Sequence, residues 1–468
     1  MNFRLRTLTA CLGLIGCAGL AHGSGFNLLE QNASGLGNAF AGSATSIENP
    51  SAMYFNPAAL TQLEGLQIST GVNFVRPSFK FKDDGNSRAP RGFGQSKTAL
   101  NGNGGDAGST GIVPNFYISY KPTDRIGLGL GISAPFGLKT EYDPDWIGRY
   151  HSQSFDIKTI NINPAIAFKI NDSWSVGAGL NIQRIEATYD KRNIAGLASV
   201  PGAYFDSGSS TKIKNTAYGW NVGIMFHPSV DTRIGLSYRS RIKHKADGHT
   251  SIDVNANAIK ADATNYIMGL VKAGALTLQQ AGALAQKANG IQVPTRLDSK
   301  ATVSLPDMAV LSAYHRINEK WEVMGDISWI GWSSIPKLTI NSVGGGFANE
   351  TSLSLKFKDT WRVALGANYA VNEKWKLKMG VAWDQSPIRN AEHRPASLPD
   401  SDRYWVSLGV QYKPTQFTTI DVGYAHLFAK SSKIHNDNEG KANLYGRLSG
   451  SYKANANIFG LQVSHRFF

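Results

Sequence analysis

From Leu66 onward the apolar residues of this chain recur at every second position, in segments of about ten. Trp174, Val176, Ala178, Leu180 and Ile182 alternate with Ser175, Gly177, Gly179, Asn181 and Gln183. Trp375, Leu377, Met379, Val381 and Trp383 repeat the pattern, as do Tyr404, Val406, Leu408, Val410 and Tyr412. A period of two is that of a strand with one apolar face. The opposite face carries Gly, Ser, Asn, Gln and Lys, which suits a polar or filled lumen with lipid outside. Beyond the first 25 or so residues no run of 18 apolar residues is free of charge, so membrane-crossing helices are not expected.

The connectors between these segments fall into two classes. Tight turns recur at Lys121–Arg125, Asn171–Trp174, His227–Asp231, Asn318–Trp321, Asn372–Trp375 and Lys413–Gln416, and between them lie longer, polar, Gly-rich loops. Short turns on one side and long loops on the other are the asymmetry of outer-membrane barrels. With both chain ends on the side of the turns, six turns require fourteen strands, an even number as single-chain bacterial barrels have. Trp174, Trp321 and Trp375 each open a strand directly after a tight turn, which places them at one depth, as in an interfacial aromatic belt. The expected fold is therefore an all-β membrane protein, a 14-stranded antiparallel transmembrane β-barrel over residues 66–468.

Two regions interrupt the alternation. Residues 24–65 lack it. Residues 250–295 read as helical: Ile259, Ala263, Tyr266, Ile267, Leu270 and Val271 share one face, and Thr277 with Gln280 forms a capping box. This helical loop is expected on the outside, between a strand ending near Lys245 and one starting near Ala301. The stretch Asn101–Asp106 reads as a flexible external loop.

Arg4 and Arg6, an apolar run to Leu20, and Ala21-His22-Gly23 mark residues 1–23 as a signal peptide cut after Gly23. Leu14–Cys17 also fits a lipoprotein box with lipidation at Cys17. Cys11 and Cys17 both lie in this leader, so no disulfide is expected in the mature chain. The net charge of +14 becomes +12 without Arg4 and Arg6. With no contiguous basic and aromatic patch for nucleic acid, the expected polyanion is lipopolysaccharide among outer-membrane lipids.

Ser24-Gly25-Phe26, Ser34–Gly42 and Asn56-Pro57-Ala58 resemble the FadL-type family of outer-membrane long-chain fatty acid and hydrophobic-compound transporters. The likeness continues through Val113-Pro-Asn115, Phe357-Lys-Asp359, Asp384 with Ser386-Pro387, and Leu398–Trp405, in family order. The resemblance implies a barrel plugged by a small N-terminal hatch, residues 24–65. It also implies passive uptake of hydrophobic molecules, most of all fatty acids, by a monomer without cofactors. Capture between external loops would be followed by binding in an inner pocket and sideways exit at the third strand.

That strand, Arg125 to Thr140, contains Pro135-Phe136-Gly137, and a proline inside a strand removes a ladder donor and forces a kink or bulge. By the resemblance, the hatch turn at Asn56 and Pro57 covers the kink, Phe26 contacts the pocket, Lys191 or Arg192 meets a carboxylate, and Asp384 is a pocket acid. Where the family carries a further pocket lysine this chain has Leu353, with Lys356 and Lys358 nearby, which leaves neutral hydrocarbons open as cargo. Two rival functions are a hydrophilic porin and an outer-membrane lipase. No HExxH, HxH or Gly-x-Ser-x-Gly spacing supports an enzyme.

Overall fold

The computed structural model describes residues 25–90, 102–196, 200, 202–253, 255–290, 295–344 and 347–468. The expected leader, with Cys11 and Cys17, lies outside the described residues, and so does Asn101. Fourteen membrane-crossing spans form one closed antiparallel barrel. They are β1 (Leu66–Asp83), β2 (Gly111–Tyr120), β3 (Ile126–Ser133 and Gly137–Glu141), β4 (Ser154–Lys169), β5 (Trp174–Gly196), β6 (Tyr204–Ser229) and β7 (Thr232–Arg239 and Ile242–Asp253). The second half comprises β8 (Arg296–Leu305 and Met308–Arg316), β9 (Trp321–Ile330 and Lys337–Gly344), β10 (Phe347–Ser354 and Thr360–Ala370), β11 (Trp375–Asp384), β12 (Arg403–Tyr412), β13 (Thr418–Ala429 and Ser432–Asn436) and β14 (Leu448–Arg466). Each span pairs with its neighbours in sequence, and β14 closes the ring on β1 from Gln67↔Arg466 to Asp83↔Gly450.

The six tight turns fall where the chain pattern puts them. Three are the same device: the Asn171, Asn318 and Asn372 side chains accept from the backbone N–H of Trp174, Trp321 and Trp375 at 2.9–3.0 Å. Each tryptophan points outward and pairs across the ladder with another ring, Phe226, Tyr369 or Tyr412, at centroid distances of 4.3–4.8 Å. Above this belt the outward positions are apolar and exposed, among them Leu180, Trp220, Leu365 and Leu408.

Toward the external side the strands outlast their apolar pattern. β7 runs to Asp253 rather than ending near Lys245, and β8 starts at Arg296 rather than near Ala301. Pairs such as Glu186↔Lys214 continue the ladder where the outward face has become polar, so periodicity in hydrophobicity fades before the hydrogen bonds do. The stretch from Gly102 to Gly108 is likewise fastened rather than loose. Asp106 accepts from the Phe79 N–H at 2.8 Å, and Ala107 N–H donates to Phe79 O at 2.9 Å. Between β7 and β8, helices α1 (Ala256–Lys272) and α2 (Leu278–Asn289) form, the latter with the Thr277–Gln280 capping box. Their apolar faces pack on each other and on Val200 and Ala203. No helix among the described residues is long and apolar enough to cross a membrane.

Residues 25–64 make only short turns, with Ala39 and Phe40 in the left-handed region. They lie against the inward faces of the strands, where glycines make room. A Cβ on Gly409 would come within 2.8 Å of the Gly37 Cα, and one on Gly223 or Gly380 would overlap Asn56 or Asn38. Asn38 Nδ2 donates to Ala367 O, Asn368 Oδ1 and Met379 O at 2.8–3.2 Å, so the segment is hydrogen-bonded to the wall as well as packed on it. Ion pairs join the two: Lys378 of β11, itself buried, bridges the solvent-reachable Glu48 at 2.6 Å and the buried Asp421 of β13 at 3.2 Å. Removing Lys378 would leave the buried Asp421 carboxylate without its cation, which makes the network costly to break.

Candidate ligand-binding site

β3 is broken at residues 134–136. β2 accompanies it only from Tyr120↔Leu128 to Phe116↔Ile132, and the register with β4 slips by one residue between Ser133↔Asn161 and Gly137↔Lys158. Phe136 stays attached on the β4 side, its N–H donating to Thr159 Oγ1 at 2.9 Å and its carbonyl accepting from Thr159 N–H at 3.0 Å. On the side that β2 has left, the N-terminal segment takes over. Leu28 N–H donates to Pro135 O at 2.8 Å, Gly137 N–H to Phe26 O at 2.9 Å, and the Gln31 amide to Ala134 O at 2.9 Å. In a membrane an unpaired backbone stretch must find such partners.

Residues 26–28, not the Asn56-Pro57 turn, therefore meet the break. Asn56 Nδ2 donates to Ala44 O and to Ile224 O of β6 at 2.8 and 3.0 Å, and Pro57 sits by Gly177 and Gly223. Asn56 caps its own turn by accepting from Ala58 N–H, as an Asn before Pro commonly does.

Phe26, buried at this junction, packs edge-on against Trp332 and Phe136 at 4.7 and 5.9 Å. It forms one wall of an apolar cavity. The other walls come from facing sides of the barrel, with Phe155 and Ile157 of β4, Ile340 of β9 and Leu353 of β10 among them. Tyr189, Thr211 and Ser397 are its polar members, and none of the lining residues carries a charge. Leu353 thus adds apolar wall where a lysine would add charge. Lys356 points away, paired with Glu439 at 2.6 Å. Trp332, missed in the sequence, sits on a 3-10 turn at a break in β9; the loss of alternation after Ile330 is the local sign of it.

Lys191 and Arg192 separate by strand parity. Lys191 shares the inward face of β5 with Tyr189; it is 5% exposed, its ammonium lies 4.5 Å from the Tyr445 ring centre, and no carboxylate among the described residues is within ion-pair distance. His151 beside it is neutral at ordinary pH: burial first, then the Lys191 ammonium, lowers the imidazole to about 4. Arg192 points the other way, into an ion pair with Asp206 at 3.0 Å. Asp384 does not line the cavity. It belongs to a buried group with Arg403 at 3.5 Å, and Arg403 also holds Asp400 at 2.8 Å. Asp400 in turn accepts from the Gly25 N–H at 3.1 Å, so the residues around Phe26 are held at β3 on one side and at Asp400 on the other. Gly25 is needed there. Its φ is +62°, and a Cβ would meet the Trp332 ring at 2.8 Å.

Glu30, in the same segment, is fully buried with neither carboxylate oxygen hydrogen-bonded. Burial raises its pKa to about 7 against the pull of its own backbone and of Arg403 and Arg362. A carboxyl raised in the folded state costs nothing while protonated in both states, below about pH 4.5. Stability is lost as pH rises, in full above about 7, on the order of 3 kcal/mol. Glu30→Gln is thus expected to protect the N-terminal segment from protease at pH 8, with no gain at pH 4.5. An equal gain at both values would mean that Glu30 ionisation carries no such cost.

The family of outer membrane protein transport proteins (OMPP1/FadL/TodX) matches residues 14–467. Outer membrane protein P1 of Haemophilus influenzae is 29% identical, over 96% of each chain. The long-chain fatty acid transport protein of Escherichia coli K12 is also 29% identical, over 91% of this chain and 94% of its own. Among solved structures, a Pseudomonas aeruginosa FadL homologue superposes with a TM-score of 0.80 at 26% identity, covering 95% of this chain and all of its own. The toluene transporter TbuX of Ralstonia pickettii shares the fold, with a TM-score of 0.64 at 16% identity over 94% of this chain and all of its own. A match over nearly the whole chain, a closed fourteen-stranded barrel and relatives named for the outer membrane agree: this protein belongs to the OMPP1/FadL/TodX family of outer-membrane transport proteins for hydrophobic compounds.

Proposed function

We propose that the protein takes up long-chain fatty acids passively, holding them in the cavity behind Phe26 and releasing them sideways through the break in β3, with residues 25–64 as the plug. The observation that carries this reading is that one segment serves both places: Phe26 closes the cavity while its own carbonyl and the Leu28 N–H fill the gap beside β3. Displacing residues 25–28 would open the cavity and the gap together. Such a coupling is required because binding is strong. About fifteen methylenes buried at ~0.8 kcal/mol each amount to on the order of 12 kcal/mol before ordering costs, so a rigid cavity would release its ligand too slowly. The Escherichia coli relative is named a long-chain fatty acid transport protein, and the reading is not enzymatic.

Lys191, buried and unmatched on the face shared with Tyr189, supports an acid as cargo and is the proposed partner of the carboxylate. The uncharged lining supports a second reading, neutral hydrocarbons by the same route. Lys191→Gln separates them. For a fatty acid, affinity for the purified barrel is expected to fall about tenfold or more, the worth of a hydrogen bond to a charge, while an alkane of equal length binds as before. An unchanged affinity for the acid would favour hydrocarbons.

A further inference from the structure

We infer that the outer face of the seam between β1 and β14, extending onto β13, is a binding site for the phosphates of lipopolysaccharide in the outer leaflet. The rows of the ladder here can be followed upward from the membrane. Phe74, Phe459 and Tyr424 stand side by side in register, all exposed and apolar. One row higher Arg76 faces Asn457, and two rows above that Lys80 stands directly opposite Lys453. In the next row Lys82 and Lys433 flank Ser451. All five cations are exposed, and their neighbours in sequence, Val75, Phe79, Phe81, Tyr452 and Ile434, are buried on the inward side. The alternation therefore commits the five to the outer wall.

Like charges directly opposite on a ladder repel, and strands ordinarily place an acid between them. Here the chain supplies one, Asp106, whose carboxylate is 4.0 Å from Lys80 but already accepts from Ser78 Oγ and from the Phe79 and Gly108 N–H groups. No acid among the described residues is within ion-pair distance of Arg76, Lys82, Lys433 or Lys453. Elsewhere, one stretch of the wall matches its outward charges within the protein. On β3 to β5, Lys139 pairs with Glu141 at 3.0 Å, and Glu186 meets Arg184 at 2.9 Å and Lys158 at 3.8 Å. On β6 to β8, Asp247 stands in register with both Lys214 and Lys300 without forming an ion pair with either.

The unmatched group lies on the side away from the tight turns, just above the apolar band. There the outer leaflet presents phosphorylated sugar head groups with acyl chains beneath them. Phosphates would bridge Lys80, Lys453, Lys82 and Lys433, and the acyl chains would lie along Phe74, Phe459 and Tyr424. A basic cluster at a membrane surface recognises anionic head groups in this way. The site faces lipid, on the opposite side of the wall from the cavity.

The test uses the full barrel in nanodiscs with three lipids titrated in: lipopolysaccharide, the same lipopolysaccharide stripped of its lipid A phosphates, and phosphatidylglycerol. Wild type should bind the phosphorylated form at least about tenfold more tightly than either of the others. The variant K80Q/K82Q/K433Q/K453Q should lose that preference, whereas K139Q/K158Q/R184Q, altering the matched charges, should keep it. Heat-modified gel mobility reports that each variant is a folded barrel. Should the first variant fail to fold, the single changes K82Q and K453Q at exposed positions replace it, each weakening binding by a few fold. Equal binding of the stripped form, equal binding of phosphatidylglycerol, or full retention by the quadruple variant would each overturn the assignment.

Discussion

Leucine in place of Gly223 and Gly380 is expected to turn the barrel into an open pore. Both glycines face the lumen where the N-terminal segment passes closest, Gly223 against Asn56 and Gly380 against Asn38 and Ala39. Neither neighbour can give way locally, because Asn56 is fastened to Ala44 and Ile224 and Asn38 to three groups on β10 and β11. Overpacking a single site costs about 1–3 kcal/mol, and two sites at separate points of one segment should unseat it. The outward faces of β6 and β11 are untouched, so the ring of strands remains. The measurement is conductance in planar bilayers together with sensitivity of cells to large hydrophilic antibiotics, with Gly282→Leu, which has nothing within 4 Å, as the control. A double variant as tight as wild type would mean that residues 25–64 do not plug the barrel.

Sealing the break in β3 is expected to abolish uptake. Pro135→Val restores a backbone donor, and Gly137→Val adds a Cβ that meets Leu28 at 3.2 Å, pressing the N-terminal residues away while favouring an extended strand. β2 would then recover the partner it loses above Ile132. Uptake of a long-chain fatty acid into cells should fall at least about tenfold, while the double variant stays folded by heat-modified mobility. Undiminished uptake would remove the lateral route and direct attention to an axial one.

Much of the barrel was legible in the chain, and the reasons are local. A tight turn writes itself into four or five residues, so Asn171–Trp174 and its five counterparts were enough to count the spans. Strand parity held as well: Asn181 and Gln183 face the lumen, and following the same parity to Lys191 would have separated it from Arg192. Contacts between distant segments leave no such trace. That Phe26 and Leu28 serve as the missing neighbour of Pro135 and Gly137 depends on two pieces of backbone more than a hundred residues apart, and neither carries a pattern naming the other. The Asn56-Pro57 turn was misplaced for the same reason, since Asn-Pro specifies a turn but not the strands it will rest on. Asp384 illustrates a third case. Its burial beside Arg403 marks an ion network around Asp400, and an acid near a ligand cavity is indistinguishable in sequence from an acid in its wall.

The junction of β14 with β1 has a consequence for how the protein is made. Seventeen consecutive register pairs join residues 67–83 to residues 450–466, so the first strand waits for residues 450–466 to be delivered. Until then two edges lie open, in a solvent where an open edge is not tolerated. A chain missing residues 449–468 would lose two ladders rather than one and have no ring at all. Delivery of β14 thus becomes a checkpoint, at which a product lacking it is left for proteolysis rather than inserted as a leaky wall.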